Sequence, residues 1–63
     1  MMYNFEAEIH EIGTSRTFTE PTSVEAISEE RAREWVEQRL EETFPGEDYQ
    51  LLSLECVSVS ENG

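Results

Sequence analysis

The chemistry-bearing residues of this chain are one histidine and one cysteine, and neither stands in a catalytic pattern. His10 follows Glu6 and Glu8 at alternate positions, so a strand would place all three side chains on one face. A carboxylate can orient an imidazole, but one histidine with two carboxylates is an incomplete metal site, and no nucleophile pattern accompanies it. We therefore expect a surface histidine with an acidic neighbour, no catalytic residue, no metal and no cofactor.

Cys56 is the single cysteine, which excludes an intramolecular disulfide and a zinc site built on a cysteine pair. It shares its parity with Leu52 and Leu54, so we interpret it as a small core residue rather than a nucleophile. The three glycines form no phosphate-binding loop, and no serine lies in a G-x-S-x-G context. These observations favour a protein that is not an enzyme, in a reducing, cytoplasmic setting.

Carboxylates dominate the composition: 15 Asp and Glu stand against 4 Arg and no Lys, for a net charge of −11 over 63 residues. Binding to nucleic acid needs a basic footprint, so we expect no direct nucleic-acid contact and no binding to anionic membranes. No apolar run approaches the roughly 18–20 residues that span a bilayer, and no signal peptide is visible. The charge favours a basic partner, a metal cation or concentrated salt.

Many of these carboxylates fall on one predicted helix. Glu30, Glu34, Glu37 and Glu41 follow one another at spacings of four, three and four, with Glu42 beside them. Neighbours would lie roughly 5–6 Å apart on one outward face, close to the phosphate spacing of a nucleic-acid strand. Three interpretations stay open: a solvated, solubilising face, adaptation to high salt, or a phosphate-mimicking surface for the basic groove of a nucleic-acid-handling protein. The excess of Glu over Asp argues against the second.

Hydrophobic periodicity predicts a single domain over residues 1–63 with the element order β-β-α-β. We expect strands at about 3–11, 16–26 and 49–60 and a helix at about 29–44. Ser28 is suited to cap the helix, and Pro45 ends it. Pro21 cannot donate to a ladder, so the second strand should be an edge strand, bent or bulged at that point.

A tight turn at Gly13 would make the first two strands antiparallel neighbours, and a right-handed crossover would bring the third strand parallel to the second. This predicts an α+β fold, a three-stranded sheet of order 2-1-3 with one helix packed on one face. The apolar stripe of the helix comprises Ala32, Trp35, Val36, Leu40 and Thr43. We expect the stripe to cover Phe5, Ala7, Phe18, Leu52 and Leu54.

The other sheet face has no cover within this arrangement. We expect it to present Leu51, Val57 and Val59 beside Thr17 and Thr19, and such exposed apolar side chains are often buried by a second copy or a partner. A small domain also gains apolar burial by dimerising. The alternative function is therefore an assembly protein that homodimerises through this face, with its acidity serving solubility or salt adaptation. The apolar residues of the last strand change from even to odd positions between Cys56 and Val57. Both faces of this strand therefore remain candidates for the buried face.

One stretch of the chain, between an extended first strand and a short third strand, carries a resemblance to known proteins. It reads Val24-Glu25-Ala26-Ile27-Ser28-Glu29-Glu30-Arg31-Ala32-Arg33. The arrangement resembles small ββαβ proteins encoded by phages and mobile elements, among them some anti-CRISPR-type inhibitors, and several acidic ones act as nucleic-acid mimics. The resemblance implies a small inhibitor or adaptor that binds a partner protein.

Overall fold

Three strands and one helix build the part of the chain that the structure, a computed structural model, describes, namely residues 1–61. The elements are β1 (Met2–Glu11), β2 (Thr17–Glu25), α1 (Glu29–Thr43) and β3 (Tyr49–Ser60). The sheet order is β2-β1-β3, and both outer strands run antiparallel to β1. Strands β2 and β3 therefore run in the same direction. The predicted α+β fold, with order 2-1-3 and one helix, is confirmed.

The β1–β2 hairpin is regular along its whole length. Gly13 has a φ of 88° in the turn, a conformation that glycine adopts without steric cost. Pro21 pairs with Glu6 and causes no register shift between β1 and β2. The predicted edge position of β2 is confirmed, and the continuous register excludes a bulge at Pro21. An edge strand leaves part of its N–H groups without a ladder partner, so proline fits there without distortion.

Helix α1 begins and ends at the residues that the sequence marks. The Ser28 hydroxyl accepts a hydrogen bond from the Arg31 N–H at 3.2 Å, as an N-cap does. Its buried stripe is narrower than predicted, because it consists of Ala32, Val36 and Leu40. Trp35 is 57% exposed, so its predicted place in the core is wrong. Trp35 lies about 100° around the helix from Val36, so it is on the side of the helix rather than on the face that packs against the sheet.

The core centres on β1, the strand with a neighbour on both sides. Four alternate residues of β1 are buried against the three helix residues: Tyr3, Phe5, Ala7 and Ile9. Because side chains alternate along a strand, the intervening residues of β1 point to the opposite face. Among residues 1–61, no polar or charged residue is buried. The interior is therefore one thin apolar layer between β1 and α1.

Strand β3 is irregular, and its two β-bulges change which residues share a face. The β1–β3 register shifts between Asn4 and Phe5 and again between Glu8 and Ile9. At these two places one residue of β3, Val57 and Leu52 respectively, has no partner on β1. Each bulge inserts one residue, so the alternation of side chains changes phase there. Residues of opposite parity in β3 can therefore lie on the same face.

The register assigns the helix-side face of β3. Four of its members lie opposite buried residues of β1, and directly opposed residues share a face; they are Leu51, Leu54, Cys56 and Val59. The fifth is Tyr49, which lies opposite Glu11 and packs against the core. The prediction that Leu51 and Val59 lie on the open face is therefore wrong. Leu52, which we expected in the core, is 46% exposed at its bulge. Cys56 packs against the core as predicted.

Candidate functional site

The acidic face comprises the four helix carboxylates singled out by their spacing and Glu42 beside them. Glu30, Glu34, Glu37, Glu41 and Glu42 are all exposed. The last turn of α1 contains no basic residue. In the described part of the chain, Arg33 pairs with Glu29 at 3.6 Å rather than with a member of the acidic face. The face is thus a solvated array of carboxylates without a cation from α1 bound to it.

Charge is divided between the two flanks of α1. On the flank towards β3, Glu37 and Glu41 lie beside the strand. On the flank towards β2, Arg31 and Trp35 lie near the end of that strand, and Arg39 lies beside its middle. The β2 flank carries mixed charge, because Arg31 and Arg39 lie there with Glu20, Glu25 and Glu34. Of the acidic face, Glu37 and Glu41 border β3.

A groove separates the C-terminal half of α1 from β3, and we call it the α1–β3 groove. Its volume is about 240 Å³ and it is open to solvent. It is lined by Ile9, Glu37, Leu40, Glu41, Phe44, Gly46, Tyr49 and Leu51. Most of these residues are apolar, and the two carboxylates belong to the acidic face. The groove therefore has an apolar floor and an acidic wall.

Aromatic packing supports the end of the groove where α1 passes into β3. The rings of Phe44 and Tyr49 meet nearly edge-to-face, with centroids 5.1 Å apart, and Phe18 lies 5.5 Å from Phe44. Such tilted contacts are the preferred geometry of aromatic pairs. They connect the helix end, β2 and the start of β3. This end of the groove is therefore built on a packed cluster.

Arg33 bridges α1 and β3 on the N-terminal side of the groove. Its guanidinium donates a hydrogen bond of 2.8 Å to the main-chain carbonyl of Leu54. Its Cζ atom lies 5.6 Å from the centroid of the Phe5 ring, within cation–π range. Arg33 therefore occupies the space between helix and strand there, and the groove lies further along the helix.

The open sheet face is mainly polar. Asn4 accepts a hydrogen bond from the Ser23 hydroxyl at 2.6 Å and donates one to the Ser58 hydroxyl at 2.8 Å, which joins all three strands. Thr17 and Thr19 lie on this face as predicted, opposite residues of β1 that point away from the core. Leu51 and Val59, predicted beside them, lie on the helix side, and Val57 is an exposed residue without a partner on β1. Two of the three aliphatic residues of the predicted dimer face are therefore not on this face. Homodimerisation itself stays a prediction.

The histidine and the remaining carboxylates of the open face form no recognisable site. His10 Nδ1 lies 3.2 Å from the Thr17 hydroxyl. Glu6 lies directly opposite Glu55 on β3, a like-charged pair of the kind that destabilises a sheet. Within residues 1–61, no group of three or more His, Cys, Asp or Glu residues is arranged to hold a metal ion. The expectation that the protein is not an enzyme stays a prediction.

Sequence reasoning missed the α1–β3 groove, because the groove depends on the position of a helix over a bulged strand. One signal in the sequence pointed towards it. Across its twelve residues, β3 contains a single charged side chain, Glu55, although 30% of the whole chain is charged. Four residues of β3 are large, apolar and 41–47% exposed: Leu51, Leu52, Val57 and Val59. A long charge-poor strand at a sheet edge is an indicator of an interaction surface.

We found no family model, no curated protein and no solved structure that matches this chain. In the part of the chain that the structure describes, no helix is long and apolar enough to cross a membrane. The resemblance to phage-encoded inhibitors therefore stays a prediction, and the function has to be inferred from the chain's own residues.

Proposed function

We propose that this protein is a non-enzymatic binding protein whose acidic face engages a basic surface of a partner protein. The observation that carries the proposal is the acidic end of α1. Glu41 and Glu42 stand in its last turns, where the helix dipole disfavours anions, and no basic residue accompanies them in the last turn. Like charges four residues apart also destabilise a helix. Helix stability does not explain this arrangement, whereas binding to cations does.

The chemistry of the acidic face favours a partner that handles nucleic acid. Carboxylates spaced by about one helical turn, roughly 5–6 Å, can occupy positions that phosphates occupy in a basic groove. Complementary charge would also accelerate association and make it sensitive to salt. The protein would then act as a nucleic-acid-mimicking inhibitor. A homodimer through the open sheet face has less support, because that face is mainly polar.

The proposal can be tested with a defined cationic probe, a fluorescent peptide in which Lys and Ser alternate. We expect Glu34→Arg combined with Glu37→Arg to weaken binding of this peptide by at least about tenfold at low salt, since both carboxylates are exposed on the face. Fluorescence anisotropy measures the affinity, and circular dichroism checks that the fold is retained. Binding should weaken further as the salt concentration rises.

The matched control places the same change of charge on the open sheet face. Glu8→Arg combined with Glu55→Arg alters the net charge by the same amount, and neither residue belongs to the acidic face. We expect this variant to bind the peptide several times more tightly than the helix variant. Equal losses in the two variants would mean that overall charge, not the acidic face, attracts cations. That result would favour the solubilising interpretation.

A further inference from the structure

We propose that the α1–β3 groove is the anchor site of the partner. It accepts an apolar side chain from a segment whose neighbouring Lys or Arg residues contact the acidic face. This inference rests on the proposed function and deepens it, because it specifies the partner segment as basic and apolar together. Neither feature alone is sufficient: a purely polar basic segment leaves the groove empty, and a purely apolar one leaves the carboxylates unpaired.

The first argument is that the β3 flank of the sheet is apolar but only partly covered, since Leu51 and Val59 are exposed there. Helix α1 lies closer to β2 than to β3. On the better covered β2 flank, the helix-side residues include polar Glu20 and Thr22, which lie opposite Ala7 and Phe5. On the β3 flank, every helix-side residue of the strand is apolar. The folding of this chain alone does not require apolar side chains on the flank that the helix leaves open.

The second argument is the size and shape of the groove. An enclosed cavity of about 150 Å³ holds one benzene ring, so a groove of about 240 Å³ has room for a branched aliphatic or aromatic side chain. Leu51, on its floor, is 41% exposed, although its cross-strand partner Ile9 is only 1% exposed. An incoming apolar side chain would cover the exposed part of Leu51. The volume lies below the roughly 300 Å³ at which small-molecule pockets begin, which favours a side chain over a free ligand.

The third argument concerns charge and decides between a basic partner and a second copy. Glu37 and Glu41 form the helix wall of the groove. A second copy would bring a net charge of −11 with only four arginines, and Arg33 is already held by Glu29 and a main-chain carbonyl. The two bulges of β3 also blunt its edge, which disfavours strand pairing between copies. A basic segment would pair with the two carboxylates of the wall, whereas a second copy would be repelled by them.

Two peptides of equal charge provide the test. One alternates Lys and Leu, and the other is the peptide that alternates Lys and Ser. We expect the wild-type protein to bind the Lys-Leu peptide about tenfold more tightly, because burial of a leucine side chain in the groove adds to the same electrostatic attraction. Equal affinity for the two peptides would overturn the groove proposal and leave the proposed function standing. Failure of both peptides to bind would overturn the proposed function as well.

A matched pair of variants locates the effect. Leu51→Ser removes the apolar floor, whereas Leu52→Ser removes a neighbouring, similarly exposed leucine that does not line the groove. We expect Leu51→Ser to abolish the preference for the Lys-Leu peptide and to leave affinity for the Lys-Ser peptide unchanged. Leu52→Ser should retain the preference. A preference that survives Leu51→Ser, or that disappears equally in both variants, contradicts the assignment to the groove.

A measurement on the wild-type protein covers the case in which Leu51→Ser fails to fold. Titration with the Lys-Leu peptide should shift the NMR signals of Leu40, Phe44 and Leu51 more than those of the open-face residues Asn4 and Thr19. Shifts confined to the open face would overturn the proposal. Sedimentation of the protein alone tests the competing occupant, because a stable dimer that Leu51→Ser dissociates would assign the groove to a second copy.

Discussion

The two outer strands of this sheet meet the same helix in different ways. Strand β2 pairs with β1 without a register shift, and it lies closer to α1 than β3 does. Strand β3 is longer, contains two bulges and leaves Leu51 and Val59 nearly half exposed on the helix side. The more apolar flank is therefore the less covered one. The groove proposal accounts for that inversion by a contact of β3 with a partner.

The flanks also differ in the charge that borders them. The β2 flank is bordered by both arginines and carboxylates. The groove beside β3 is bordered by Glu37 and Glu41, and no arginine lines it. Apolar surface and negative charge thus adjoin on one side of the molecule. Interfaces commonly combine an apolar anchor with a charged rim, since the anchor supplies affinity and the charges supply orientation and speed.

The largest effect that tests this comparison comes from deletions in a regular and a bulged strand. Deletion of Glu6 from β1 should unfold the protein, because a shift of one residue sends part of the core to the open face. Deletion of Val57 should leave it folded, since Cys56 and Ser58 already pair with consecutive residues of β1. Far-UV circular dichroism and the dispersion of NMR signals measure both outcomes. If the Val57 deletion also unfolds, the bulge is essential to the fold.

A smaller effect separates the two members of one cross-strand pair. Ile9→Ala should lower the free energy of unfolding by about 2–5 kcal/mol, because this side chain is almost completely buried. Leu51→Ala, directly opposite, should lower it by about 1 kcal/mol, since Leu51 is 41% exposed. Urea unfolding at equilibrium measures both values. Equal losses would show that the β3 flank is covered in solution.

The smallest effect concerns the polar residues on the helix side of β2. Thr22→Val should raise the free energy of unfolding by about 0.5 kcal/mol, since Thr22 is half-buried opposite Phe5 and valine favours such a position. Thr19→Val, on the open face, is the control and should change stability by less. A lower free energy of unfolding in Thr22→Val would mean that the Thr22 hydroxyl stabilises the folded protein.

Local patterns were sufficient to predict much of the fold. Alternation in β1, the cap at Ser28 and the stop at Pro45 each rest on a few adjacent residues, and the structure confirms them. The strand order followed from the short hairpin and the handedness of the crossover. The sequence prediction put Trp35 in the core because periodicity defines a broad apolar stripe on the helix. The position of the helix over the sheet decides which edge of that stripe is covered, and Trp35 is on the exposed edge.

The candidate site was predictable only in part. Four carboxylates of the acidic face follow from helical spacing and Glu42 from its place beside them, and all five are exposed. The groove beside it was not predictable, because a simple alternation puts Leu51 and Leu54 on opposite faces, whereas the bulge at Leu52 puts them on the same face. Bulges arise where pairing with a neighbouring strand selects a register, and periodicity within one strand contains no information about that neighbour.

The sequence by itself determined the net charge, the order of the elements, the central buried strand and the acidic face of α1. Each of these depends on composition or on side chains a few residues apart. Only the tertiary structure decided which face of β3 carries its apolar residues and which flank of the sheet α1 leaves open. Those features depend on contacts between Leu51 and Ile9, or Arg33 and Leu54, which are distant in sequence and meet only when the strands pair and the helix packs.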